Sequence, residues 1–262
     1  MSGVHDPPEA PSWLLMALEA RASIEWASLL FAWPWLKRAP SGDGHPVLVL
    51  PGLVAGDAST WPMRRFLEQL GYAAQPWDLG LNFGPRGATV PKLIDKIQGL
   101  HREHGQRVSL IGWSLGGAMA RALAAELPDA VRTVITLGSP IQPYPKATNA
   151  WRLFEAVSGW SADDPELHEL AGRSPPMPNT SILSKADGIV SWKVSLAPDQ
   201  AHSENIEIPA SHFGMGANPI ALWAIADRLA QPEGEWKPFE NDGLLRSLLF
   251  RKPEQRSKVI RQ

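Results

Sequence analysis

Residues 108–117 read V-S-L-I-G-W-S-L-G-G. An apolar run climbs to Gly112, a single serine, Ser114, sits between glycines, and a helical pattern begins at Leu115. A strand that turns at once into a helix strains the residue at its corner and tolerates little bulk nearby. Gly112 and Gly116, two positions to either side of Ser114, remove that bulk and let neighbouring elements approach. The turn lifts the serine hydroxyl away from the sheet. The helix that follows adds the positive end of its dipole and free N–H groups. Strand, G-x-S-x-G and helix in this order form the context that a nucleophile elbow requires. The bland alternative is a helix-packing glycine pair with a bystander serine.

The rest of the chain supplies a sheet for such a corner. Strands are expected at 47–50, 73–77, 107–111, 131–137, 180–184 and 205–208. Helical patterns cover 59–70, with Pro62 in the first turn, 89–103, 115–127, ended by Pro128, and 218–230. This alternation predicts the α/β class, with a mostly parallel central sheet and helices on both faces. Crossover handedness narrows the topology to doubly wound forms. A length of 262 residues suits one large domain, and 44% hydrophobic against 20% charged residues gives an ample core. The net charge of −2 lacks the basic footprint of a nucleic-acid partner. With no cysteine, disulfides, cysteine metal sites and a cysteine nucleophile are excluded, and a reducing compartment is consistent with the composition.

Residues 12–35 are apolar and rich in Trp. Asp6 and Glu9 precede the run and Glu19, Arg21 and Glu25 interrupt it, so neither a signal peptide nor a membrane span is expected. A cytoplasmic protein is the expectation. Leu14, Leu15, Leu18, Ile24 and Leu29, with Trp26 and Trp33, suit a helix with one broad apolar side. Such a helix either packs on the main domain or lies on a membrane surface or dimer interface. The expected organisation is an N-terminal helical segment at 1–45, a catalytic domain at 46–230 and a basic tail at 231–262. In that tail Arg246, Arg251, Lys252, Arg256, Lys258 and Arg261 face one acid, Glu254, from 244 onwards. It reads as a solvated tail or as a peripheral contact with an anionic membrane.

A serine nucleophile needs a base, and the base needs an orienting acid. Of seven histidines, His212 alone follows the last strand and enters a glycine-rich turn, P-A-S-H-F-G-M-G. Asp187, in S-K-A-D-G-I-V, stands just past a strand end in the layer of the elbow, and Asp199 is its rival. An Asp-Gly turn is the structural alternative for Asp187. Donors for an oxyanion are expected from the N–H of Leu115 and, in the loop after the first strand, of Leu53, with Val54 as the neighbour to test.

The stretches V-L-V-L-P-G-L, G-W-S-L-G-G, T-L-G-S-P, K-A-D-G-I-V-S-W and P-A-S-H-F-G-M occur in this order between residues 47 and 215. As a set they resemble the α/β-hydrolases of the bacterial lipase and esterase kind. Pro51-Gly52 stands where such lipases often carry His-Gly, and the family's first strands are missing or replaced by the Trp-rich helix. The resemblance implies a lid or cap at 142–179, where 147–160 and 163–172 have helical patterns, although a core-packed helix pair fits equally well. Trp113 and Trp192, with Val54, are expected to wall the substrate site. No metal or organic cofactor is implied. The implied substrate is a small-molecule or lipid ester. A thioesterase or amidase would use the same groups, and a non-catalytic binding protein of this fold is the other alternative.

Overall fold

The computed structural model describes residues 7–253. Six strands form one sheet: β1 (Pro46–Leu50), β2 (Ala73–Gln75), β3 (Val108–Trp113), β4 (Val131–Leu137), β5 (Asn179–Leu183) and β6 (Ser203–Glu207). Their order is β2-β1-β3-β4-β5-β6, and every neighbouring pair is parallel. β1 and β3 are buried along their whole length, as a parallel sheet covered on both faces requires. The chain runs outward from β1 to β2, returns to β3, and then proceeds outward to β6. The order therefore reverses between β1 and β3. In open α/β sheets the crevice at the carboxyl ends of two such strands is where ligands bind.

Alternation along the strands feeds two cores. Val47 and Val49 face one side with Ile111, where α3 (Asp57–Gln69) and α8 (Pro219–Leu229) pack. Leu48 and Leu50 face the other with Leu110, under α4 (Thr89–His104) and α5 (Leu115–Glu126). The expected strands and helices are all present, with ends displaced by one to a few residues. β3 continues to Trp113, so the strand runs directly into the serine.

The N-terminal segment is a bent strap. It comprises α1 (Trp13–Ala17), a 3-10 turn (Leu18–Arg21) and α2 (Ala22–Leu36). It lies on the first core: Leu29 and Leu36 are buried, Trp35 stacks on Trp223 of α8 at 4.4 Å, and Trp33 meets Phe66 of α3 edge-on. Among the described residues no strand precedes Pro46, and no helix is long and apolar enough to cross a membrane.

The tail expected to be solvated from 244 onwards is anchored at Phe250 and Pro253, which are buried, while Leu248, Arg251 and Lys252 are exposed. Arg251 exchanges two backbone hydrogen bonds of 2.8 Å with Glu207, covering part of the open edge of β6. Phe250 is buried against Phe239, over which the guanidinium groups of Arg228 and Arg246 lie. The reason is an apolar anchor, Phe250, within a stretch dominated by basic residues. Glu254, Arg256, Lys258 and Arg261 lie outside the described residues.

At the amino ends of β1 and β3, His45 bonds Asp43 through Nδ1 and Ser109 Oγ through Nε2, at 2.7 Å. His45 and Ser109 are fully buried. Burial holds His45 below the ordinary imidazole range despite Asp43, so its ring is neutral. This relay joins two strands and a loop. Replacing His45 by alanine leaves a cavity and an unpaired Ser109, at a cost of about 2–4 kcal/mol in stability. The urea midpoint should fall accordingly while the geometry at Ser114 is kept; an unchanged midpoint would show that the relay contributes nothing to the fold.

Candidate active site

Ser114 stands between the end of β3 and the start of α5 with φ +53° and ψ −123°. For a residue with a Cβ this is a sparsely populated backbone state that surroundings must enforce. The enforcing contacts are close. A Cβ on Gly112 would lie 2.3 Å from the carbonyl oxygen of Gly116, and one on Gly116 would lie 2.5 Å from that of Leu50. The N–H of Ser114 donates to Leu137 O at 2.8 Å, which ties the corner to β4.

Asp187 follows β5 and His212 follows β6. Both are buried, and His212 Nδ1 donates to Asp187 Oδ2 at 2.8 Å. The other carboxylate oxygen accepts the N–H groups of Ile189 and Val190, each at 2.8 Å. This leaves Nε2 as the unprotonated, accepting nitrogen of a neutral ring. Burial alone would lower the His212 pKa, but the charge and hydrogen bond of Asp187, with the charge of Glu19, outweigh it and raise the imidazole above its ordinary value. Ser114 is brought to this pair from two sides. Its neighbour Trp113 donates from Nε1 to His212 O at 3.1 Å, and Gly138, next to Leu137, packs under the pair. A Cβ on Gly138 would lie 2.8 Å from Asp187 Oδ2 and 3.1 Å from His212 Nδ1. Ser114 Oγ makes no hydrogen bond to His212 in this conformation; ligand-free sites commonly tighten this contact only with substrate. Asp199, the rival acid, is exposed and lines a different cavity, together with Phe239 and Phe250.

Leu53 and Leu115 line the same cavity as Ser114, and neither N–H donates a hydrogen bond among the described residues. Val54 differs: its N–H is spent on Asn82 O at 2.7 Å. Asn82 is fully buried and laces the loop together. Its Nδ2 donates to Pro51 O at 2.7 Å, its Oδ1 accepts from Gly84 N, and its own N–H bonds Ala55 O. No sequence pattern marks Asn82, because a polar residue in a loop has no periodicity to betray its burial.

The cavity beside Ser114 is almost wholly apolar. Leu53, Leu115 and Val190 form its base, and α6 (Trp151–Ser158) and α7 (Pro165–Gly172) cover it through Trp151, Phe154 and Leu167. The three residues expected as its walls are elsewhere. Trp113 points into the first core and toward the backbone of His212, since successive strand residues face opposite ways. Trp192 lies beyond the acid loop, beneath the Lys185 ammonium. Val54 is half-exposed outside the lining. Among the described residues no three His, Asp or Glu side chains stand close enough together to hold a metal ion.

The strap supplies a support that the sequence reading missed. Glu19 is buried, and its carboxylate accepts the N–H groups of Gly188, His212 and Phe213 at 2.8–2.9 Å. One side chain thus grips the Asp187 loop and the His212 loop together. Glu25 accepts from Ser211 N at 2.8 Å and from Asn218 Nδ2 at 2.9 Å, while Arg21 donates to Ala186 O and Ala210 O. The available signal was three charged residues inside an otherwise apolar segment, which are costly unless something pairs with them.

The model of the PGAP1-like alpha/beta domain family matches residues 87–230, a span that includes Ser114, Asp187, His212 and both covering helices. The serine hydrolase BPHL of Mus musculus is 26% identical over 130 residues, covering 46% of this chain and 45% of that protein, so the chain spans less than half of that relative's length. Monoacylglycerol lipase from Paleococcus ferrophilus superposes with a TM-score of 0.52 at 16% identity, covering 73% of this chain and 96% of that one. Lipase B of Aspergillus fumigatus gives 0.54 at 15% identity, with 73% and 53% covered. An alpha/beta superfamily hydrolase from Oenococcus oeni gives 0.52 at 16%, with 71% and 91% covered. The structural likenesses are of fold, the α/β-hydrolase fold. The family model takes in more than half of the residues, and with the elbow and the strand order in place the chain belongs to the PGAP1-like alpha/beta domain family.

Proposed function

We propose that this protein is a serine hydrolase that cleaves carboxylic esters with apolar acyl groups through an acyl-enzyme. The observation that carries this reading is the buried Asp187–His212 pair at 2.8 Å beside a strained Ser114 whose apolar cavity also presents two unpaired N–H groups. In this reading Ser114 Oγ attacks the ester carbonyl carbon while His212 Nε2 takes its proton. The N–H groups of Leu53 and Leu115 hold the oxyanion. The imidazolium then protonates the leaving alcohol, and a water activated by the same nitrogen releases the acid. Asp187 fixes the tautomer and stabilises the imidazolium. The apolar cover over the cavity favours an acyl chain and excludes water. Fold neighbours named as lipases support an ester by analogy alone. Thioesters and amides would meet the same groups and belong in the substrate panel.

The direct test is turnover of nitrophenyl esters of graded chain length. Ser114→Ala and His212→Ala should each lower kcat by on the order of 10⁶ without unfolding the chain. Turnover surviving in Ser114→Ala would overturn the assignment. A panel with no substrate for the folded wild type would move the reading to thioesters, amides or binding.

The pH profile gives a second test. The base must be neutral in the free enzyme, so kcat/KM should fall as pH drops through a value above the ordinary imidazole pKa of about 6.5. Glu19→Gln removes a negative charge near His212, lowers its pKa, and should move this acid limb to lower pH. Because the two loops also lose a shared acceptor, kcat should drop by on the order of 10–100-fold. A profile unchanged in both position and height would show that Glu19 neither tunes nor positions the base.

A further inference from the structure

We infer that the outward face of the N-terminal strap docks on an anionic lipid surface. The strap is turned inside out relative to an ordinary surface helix. All three of its charged residues, Glu19, Arg21 and Glu25, are turned inward onto the acid and base loops. Among residues 12–36 no exposed position carries a charge. What faces solvent is instead Trp13 (76% exposed), Leu14, Ile24 (70%), Leu30 (78%) and Phe31 (86%). On α2 the exposed residues recur as Ser23 with Ile24, Ala27, Leu30 with Phe31, and Pro34, the three-to-four spacing of one helix face. A contiguous apolar face of this kind on a folded chain marks an interaction site.

The charges at its margin identify the occupant. Lys37 and Arg38 continue the same stripe one turn further, are exposed, and make no ion pair among the described residues. At the other end Lys193, also exposed and with no ion pair among the described residues, stands with Pro11 and Leu15 beside the start of the strap; Glu9 is the exposed carboxylate among the described residues that line this cavity. In a two-fold pairing of this face with itself, such a margin would meet its own kind. Against anionic headgroups the same cations are attracted while Trp13, Leu30 and Phe31 enter the acyl boundary. The face is continuous with the candidate site. Leu15 O lies against Gly188 of the acid loop, Trp26 Nε1 donates to Phe213 O at 3.1 Å, and Phe213, half-exposed, follows His212. Docking there brings the acid and base loops to the lipid boundary.

The test is co-sedimentation of the full chain, as Ser114→Ala so that no lipid can be hydrolysed, with phosphatidylcholine vesicles containing or lacking phosphatidylglycerol. Binding is expected to the anionic vesicles. Leu30→Asp with Phe31→Asp should abolish it, and Lys37→Gln with Arg38→Gln should weaken it by roughly 30-fold. The same pairs of substitutions should leave the far-UV circular dichroism and the cooperative urea transition unchanged, which shows that they fold. Failure of the wild-type face to bind anionic vesicles would overturn the inference. So would a lipid-free dimer in sedimentation that Leu30→Asp with Phe31→Asp splits, since the face would then belong to a second copy. Vesicle binding is read without catalysis, so its failure and that of the hydrolytic reading are separable.

Discussion

The parallel pairing of β1 with β3 is the constraint on which the candidate site depends. Its register sets Leu50 beside Gly112, so Pro51 and Gly52 leave the sheet directly against the serine corner. The approach is close enough that a Cβ on Gly52 would lie 3.3 Å from Ser114 Cβ, and one on Gly116 would strike Leu50 O and Pro51 O at 2.5 Å. The loop with the unpaired Leu53 N–H and the corner with the unpaired Leu115 N–H are therefore placed by the same ladder of backbone bonds. A slip of one residue would move β1's apolar set from one core to the other, so the register is held by both cores at once. The geometry of this candidate site costs little to maintain because it shares its determinants with the fold.

The loops that carry Asp187 and His212 have no such direct support. They leave from β5 and β6, farther along the sheet, and must be brought back toward Ser114. Two things hold them: the bare backbone of Gly138, which lets the Asp187–His212 pair sit flush on the end of β4, and the strap. Placing Glu19 beside Asp187 puts two carboxylates near one imidazole, which would be unfavourable if either were unsolvated. Each instead accepts backbone N–H groups, two for Asp187 and three for Glu19. Hydrogen bonds to charged acceptors are about twice as strong as neutral ones, and they replace the lost water. The raised proton affinity of His212 follows from this arrangement rather than from exposure.

What could be read from the sequence was whatever depends on strand ends. Ser114, Asp187 and His212 each follow an apolar run immediately or within a few residues, and the structure places Asp187 and His212 in contact and the serine corner next to them. Leu53 and Leu115 also follow strand ends, and both line the cavity beside Ser114. Contacts made through space were not. Trp113 was expected at the substrate because it adjoins Ser114 in sequence, yet the strand's two-residue period turns it away. Glu19 is more than 160 residues from Gly188, so its partner could not be inferred from local pattern; only its cost, a charge in an apolar run, was visible. Phe250 shows the same limit in reverse, since one apolar anchor outweighed the basic residues around it.

Among the described residues two hydrogen-bonded pairs of Asp and His stand near a serine, and comparing them separates structure from chemistry. Asp43, His45 and Ser109 are already linked end to end, whereas Ser114 and His212 are not. By connectivity alone the first set is the better triad. It lacks everything else. Ser109 lies inside a strand at the amino end of the sheet, fully buried, with no helix start behind it. Ser114 has a positive φ that lifts it from the sheet, an apolar cavity above it, and two N–H groups with nothing yet to bond. A nucleophile is distinguished less by the hydrogen bonds it already makes than by the unmet donors and open space around it, because catalysis uses interactions that are completed only in the transition state.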